Sequence, residues 1–130
     1  MLTINKKIKE ITGCSANDIP EHILISTEPL VLKGLVADWP IVKAAQKSPR
    51  NAADYIAAFY QNKPITAAVG VPEIKGRIFY NEDLSGFNYQ SHSTSLNSLL
   101  DKIFQHQNDN KPPTLYMAST LVDTWLPGFR

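Results

Sequence analysis

Residues Pro29–Pro40 read PLVLKGLVADWP. Leu30, Val31, Leu32, Leu35 and Val36 form a near-continuous apolar run, the pattern of a strand covered on both faces. Gly34 interrupts it where a bulge or a close backbone approach is expected. Pro40 pushes Trp39 toward an extended conformation, giving a fixed corner that the indole can plug. Asp38 beside it can fasten that corner through backbone hydrogen bonds, as Asp does in turns.

The flanking sequence predicts a short helix over Thr3–Ile11, with Lys6, Lys7 and Lys9 as its wet face and Ile4, Ile8 and Ile11 docking inward. A polar, turn-rich passage follows through Gly13, Ser15, Asn17, Asp18 and Pro20. After the Pro29–Val36 strand comes a helical turn around Ile41–Gln46. Asn51 can cap a further helix, and Asp54 favours the positive end of its dipole. Tyr55, Ile56, Phe59 and Tyr60 form its apolar stripe, and Lys63-Pro64 ends it. Two strands are predicted next, Ile65–Val71 and Arg77–Asn81. Leu96, Leu99, Leu100, Ile103 and Phe104 then mark an amphipathic helix over Leu96–Gln107, capped by Thr94 or Ser95. A last strand runs from Thr114 to about Leu121. Helices and strands mix without regular βαβ alternation, so the fold class expected is α+β.

A length of 130 residues favours a single domain over 1–130 with room for a real core. The net charge of +1 supplies no global field for nucleic acid or an acidic membrane, and neither is expected as a partner. Cys14 is the only cysteine, so no intrachain disulfide can form and a reducing cytoplasm fits. No segment reaches the roughly 18–20 apolar residues of a membrane span.

Two stretches carry a resemblance. The Pro29–Pro40 element, and Pro113-Thr114-Leu115-Tyr116-Met117-Ala118-Ser119-Thr120 followed by Leu126-Pro127-Gly128-Phe129-Arg130, resemble the cupin-like branch of the Jumonji-type (JmjC-related) oxygenases. In that family these pieces precede a double-stranded β-helix, or jelly roll, that binds Fe(II) and 2-oxoglutarate. The resemblance implies the N-terminal portion of such an oxygenase, with the barrel incomplete. The ligand motif would lie beyond Arg130.

The candidate chemistry follows from this. Family members open their iron site with His-x-Asp or His-x-Glu, but His22, His92 and His106 are followed two residues on by Leu24, Thr94 and Asn108. The chain alone is therefore expected to hold no catalytic metal and no cofactor. Each histidine falls at an expected loop or helix end. No Gly-x-Ser-x-Gly elbow, P-loop or dinucleotide fingerprint is present. Tyr116 could donate a charge-assisted hydrogen bond to a carboxylate. The resemblance implies that this is the far carboxylate of 2-oxoglutarate, shared with a basic residue beyond Arg130. A core tyrosine satisfied by backbone is the plainer alternative. Strand alternation puts Thr120 on the side of Tyr116 as a second cofactor-binding candidate. Tyr80 matches a position at the substrate entrance of related hydroxylases, against the alternative of a packing aromatic at a strand end.

The leading expectation is thus an inactive fragment of a 2-oxoglutarate oxygenase, truncated or split. The alternative is a non-enzymatic α+β protein-interaction module derived from that family. Apolar surface left open by a missing barrel, or the edge of the Tyr116 strand, would favour a homo-oligomer.

Overall fold

The computed structural model describes residues 6–129, which divide into two compact units, one ending at Ala52 and the other beginning at Ala53. In the first unit, β1 (Lys9–Thr12) pairs in parallel with β2 (Leu30–Lys33), and Lys9 lies opposite Leu30. This corrects the predicted N-terminal helix over its described residues; Thr3 and Ile4 lie outside them. Ile11 and Thr12 are β-branched, and a ladder with β2 satisfies their backbone. Glu10 and Lys33 sit 3.5 Å apart across the pair, a surface contact worth at most about 1 kcal/mol. The short helix α1 (Glu21–Leu24) lies between the strands in sequence.

β2 is shorter than its apolar run and is not covered on both faces: half-buried Leu30 and Leu32 alternate with exposed Val31 and Lys33. Gly34 has a left-handed backbone, φ 78°, and turns follow, with Ala37 N donating to Gly34 O at 3.0 Å. Trp39 is extended as Pro40 requires. The indole does not plug the corner; it is 52% exposed. Asp38 forms an ion pair with Lys43 at 3.0 Å. Pro40 occupies the first turn of α2 (Pro40–Lys47), the one helical position where its missing N–H costs nothing. α3 (Pro49–Ala57) begins before Asn51: Ser48 is the cap, accepting from Asn51 N at 3.0 Å.

The second unit is a three-stranded antiparallel sheet in the order β4-β3-β5, formed by β3 (Ile65–Gly70), β4 (Tyr89–Thr94) and β5 (Thr114–Met117). Neither this sheet nor the β1–β2 pair closes, so the expected barrel segment is replaced by open sheets in an α+β fold. Ala67 stands opposite His92 on one side and Met117 on the other, and Ala68 opposite Ser91 and Tyr116. Paired residues share a face. One face carries Ile65, Ala67, Leu115 and Met117; the other carries Ala68, Gly70, Tyr89, Thr114 and Tyr116.

The first face holds the core. Ile65 and Ala67 pack with Tyr60, Leu96 and Leu99, while Ile56, Leu100, Leu115, Met117, Trp125 and Leu126 close around them. α4 (Leu96–Gln105) contributes both leucines, each worth about 1.5–3 kcal/mol when fully buried. Ser95 caps α4 by accepting from Ser98 N at 3.1 Å. The α3 stripe splits: Ile56 and Tyr60 join the core, whereas Tyr55 and Phe59 pack on Phe129 with centroid separations of 6.0 and 5.6 Å. α5 (Val122–Trp125) is tied down by Trp125 Nε1, which donates to Pro64 O at 3.1 Å, and by Lys63 Nζ, which donates to Thr124 O at 3.0 Å.

Arg77–Asn81 is not a strand of this sheet; its partner position on β3 is taken by β4, which the sequence left unassigned. Between β3 and Arg77 a 3₁₀ turn, Pro72–Ile74, folds Ile74 back over Gly70. A Cβ at Gly70 would lie 2.2 Å from Ile74 Cδ1 and 3.2 Å from Cγ1. Gly70→Ala should therefore turn the Ile74 side chain aside and lower stability by about 0.5–1.5 kcal/mol in urea unfolding. In an Ile74→Ala background most of that loss should vanish, with a coupling above about 0.5 kcal/mol. Strict additivity of the two changes would contradict the contact.

Candidate functional site

The outer face of the sheet is bordered by the segment from Val71 to Asn88. Pro72 opens the 3₁₀ turn, and Lys75 and Gly76 follow with left-handed backbones, φ 50° and 78°. Arg77 N donates back to Ile74 O at 2.9 Å, and Gly76 N reaches Thr114 Oγ1 on β5 at 3.2 Å. These bonds turn the chain sharply beside the sheet. Beyond Arg77 it runs out and back as a small hairpin.

That hairpin is fastened by side chains that stand in for backbone. Asn88 Oδ1 accepts from Phe79 N at 2.9 Å, Asn88 Nδ2 donates to Arg77 O at 2.8 Å, and Asn88 N donates to Phe79 O at 2.9 Å. One turn further out, Asn81 N donates to Gly86 O at 3.0 Å and Asn81 Oδ1 accepts from Gly86 N at 3.2 Å. Tyr80 and Phe87 form the bridge pair between these two fastenings. Such a pair, lacking its own backbone bonds, brings its side chains closest together.

An aromatic ladder results. Tyr80 stacks on Phe87 with centroids 5.2 Å apart, and Phe87 stacks on Tyr89, two residues along the same strand face, at 5.0 Å. Phe79 meets Tyr80 edge-on at 5.5 Å. Each such pair is worth about 0.5–1.5 kcal/mol beyond area burial. The rings nonetheless stay open to solvent: Phe79 is 65%, Tyr80 50% and Phe87 57% exposed.

Beside the ladder lies an open groove of about 1040 Å³, walled by Tyr80 and Asn88, by Glu73, Ile74 and Gly76–Phe79, and by Thr114, Leu115 and Tyr116 of β5. Two of the three residues nominated from sequence, Tyr80 and Tyr116, thus share one groove. Tyr116 is no core residue; it is 48% exposed. Thr120 does not line the groove. β5 stops at Met117, Ser119 takes a left-handed backbone, φ 47°, and the Thr120 hydroxyl donates to Ala118 O at 3.1 Å. Arg77, Phe79, Phe87, Tyr89 and Asn88 were not nominated. The Phe87-x-Tyr89 alternation was their one legible signal.

The groove offers phenols, a guanidinium, an amide, a hydroxyl and a single carboxylate, Glu73. This set can stack, hydrogen-bond and pair with an anion. It does not fit Fe(II), which takes two imidazoles and a carboxylate from one point. Among the described residues no three His, Cys, Asp or Glu side chains gather as a metal site. His22 lies in α1, His92 in the middle of β4 rather than at a loop or helix end, and His106 pairs with Asp109 at 2.7 Å.

The chain belongs to the cupin-like domain family, whose sequence profile matches residues 16–130. No curated protein and no solved structure matches it. The expected N-terminal portion of a Jumonji-type oxygenase gives way to a cupin-like domain along nearly the whole chain. The reading as a truncated jelly-roll enzyme is corrected with it. The match is to the cupin-like family, the sheets are open, and no metal cluster forms among the described residues. No helix among them is long and apolar enough to cross a membrane.

At the hairpin tip the Ser85 hydroxyl, at 2.7 Å, and the Ser85 backbone N–H, at 3.0 Å, both donate to Asp83 Oδ1 and hold its pKa below the usual 3.8. A depressed carboxylate pKa means that the contribution to tip order is present above the unfolded value and lost as pH falls through the folded one. A side-chain NMR titration of Asp83 should give a midpoint below 3.8, and Ser85→Ala should move it back up. An unmoved midpoint in Ser85→Ala would rule out this cause.

Proposed function

We propose that this member of the cupin-like family is a non-enzymatic protein-interaction module. Its contact surface is the Phe79–Tyr80–Phe87–Tyr89 ladder with the adjoining groove and the β5 edge. Tyr80 and Tyr116 serve as contact residues there. The module works without a cofactor, and a reducing cytoplasm suits its lone Cys14.

The observation that carries this reading is the ladder itself: contiguous aromatic rings held in mutual contact yet half or more exposed at three positions. Exposed contiguous apolar surface with polar surroundings marks sites of association, and aromatic residues dominate their energetics. The hairpin bonds fix the rings beforehand, so little ordering cost remains at binding. β5 adds a sheet edge whose backbone can receive another strand, whether from a different protein or from a second copy.

Selection of a random peptide library against the immobilised chain tests the proposal. Binders should shift the amide NMR signals of residues 77–89 and 114–117. They should also bind at least about tenfold more weakly to Phe79→Ser/Phe87→Ser. Binders that map elsewhere, or that ignore those substitutions, would reject it.

A further inference from the structure

Charge is distributed unevenly along the ladder surface. Toward the base of the hairpin, the groove carries Arg77 and an adjoining hollow carries Lys75 and Lys111, against the single carboxylate of Glu73. Beyond the ladder's outer end, the hairpin tip carries Glu82 and Asp83 followed by Leu84, which is 69% exposed. No ion pair joins any of these three cations or two tip carboxylates to another described residue.

We infer that this surface pairs with a second copy of the chain, the acidic tip Glu82–Leu84 of each protomer seated against the Lys75/Arg77/Lys111 groove of the other. The order along the hairpin is acidic tip, aromatic ladder, then the Lys75 and Arg77 cations at its base. A two-fold axis through the ladder superposes tip on groove twice and ladder on ladder once, which is the self-complementarity an isologous dimer requires. The bonds from Ser85 fix the Asp83 carboxylate, so the tip is ordered before contact. Opposite charges placed this way set register and speed encounter, while the ladder supplies apolar contact. The inference rests on the interaction reading above and names its partner.

Sedimentation velocity of the whole chain tests it. A dimer should form at about 20 mM NaCl, and its Kd should weaken at least about tenfold at about 500 mM. Glu82→Lys/Asp83→Lys and Arg77→Glu/Lys111→Glu should each be monomeric alone, with far-UV spectra like the parent. An equimolar mixture of the two should associate again, because each restores the other's charge. Should a tip variant misfold, the salt response of the parent and of Arg77→Gln/Lys111→Gln still decides. A parent that is monomeric at every concentration, a salt-insensitive dimer, or a mixture of well-folded variants that stays apart would overturn the inference. Peptide binding to the ladder in the selection experiment would stand regardless.

Discussion

Everything in the second unit hangs on β3, the strand bonded on both sides. Its residues Ala67, Ala68 and Gly70 are small and buried. On one face their size lets Leu96 and Leu99 of α4 approach the backbone closely. On the other, Gly70 makes room for Ile74, which draws the Pro72–Ile74 turn against the sheet. Larger residues there would push both layers away, and the groove wall would go with them.

The outer layer is stabilised differently. Few of its side chains are buried, so area burial contributes little. Its shape comes instead from Asn81 and Asn88, which supply the hydrogen bonds a longer ladder would otherwise provide. This division, a core held by burial and a surface held by bonding, leaves three rings presented rather than packed. That presentation is what the proposed contact role draws on. The groove beside it is open and holds a single carboxylate, Glu73.

The sequence pattern was most legible where apolar periodicity was strong. The α4 leucines recur at helical spacing and are buried as that spacing implies, and β3 follows the run from Ile65. β4, Tyr89–Thr94, was illegible because only Tyr89 in it is apolar; partnership with β3, not a hydrophobic face, makes it a strand. Arg77–Asn81 carries Ile78, Phe79 and Tyr80 and so looks like a strand, but its pairing is local, with residues 86–88. Lys9–Thr12 fitted a helical stripe until a partner strand was available. Tyr80 and Tyr116 were singled out through family resemblance, and nothing in the spacing brings positions so far apart to one groove. The barrel was inferred from that same resemblance, which speaks of ancestry and not of the strands these residues pair.

Residue-resolved amide hydrogen exchange tests the central claim most directly. The β3 amides should exchange most slowly in the unit, through global unfolding, while Phe79, Asn81, Gly86 and Asn88 exchange through local opening at least about a hundredfold faster. Amides of β3 that exchange as readily as those of the hairpin would mean the strand is not the frame, and the layered account would fail.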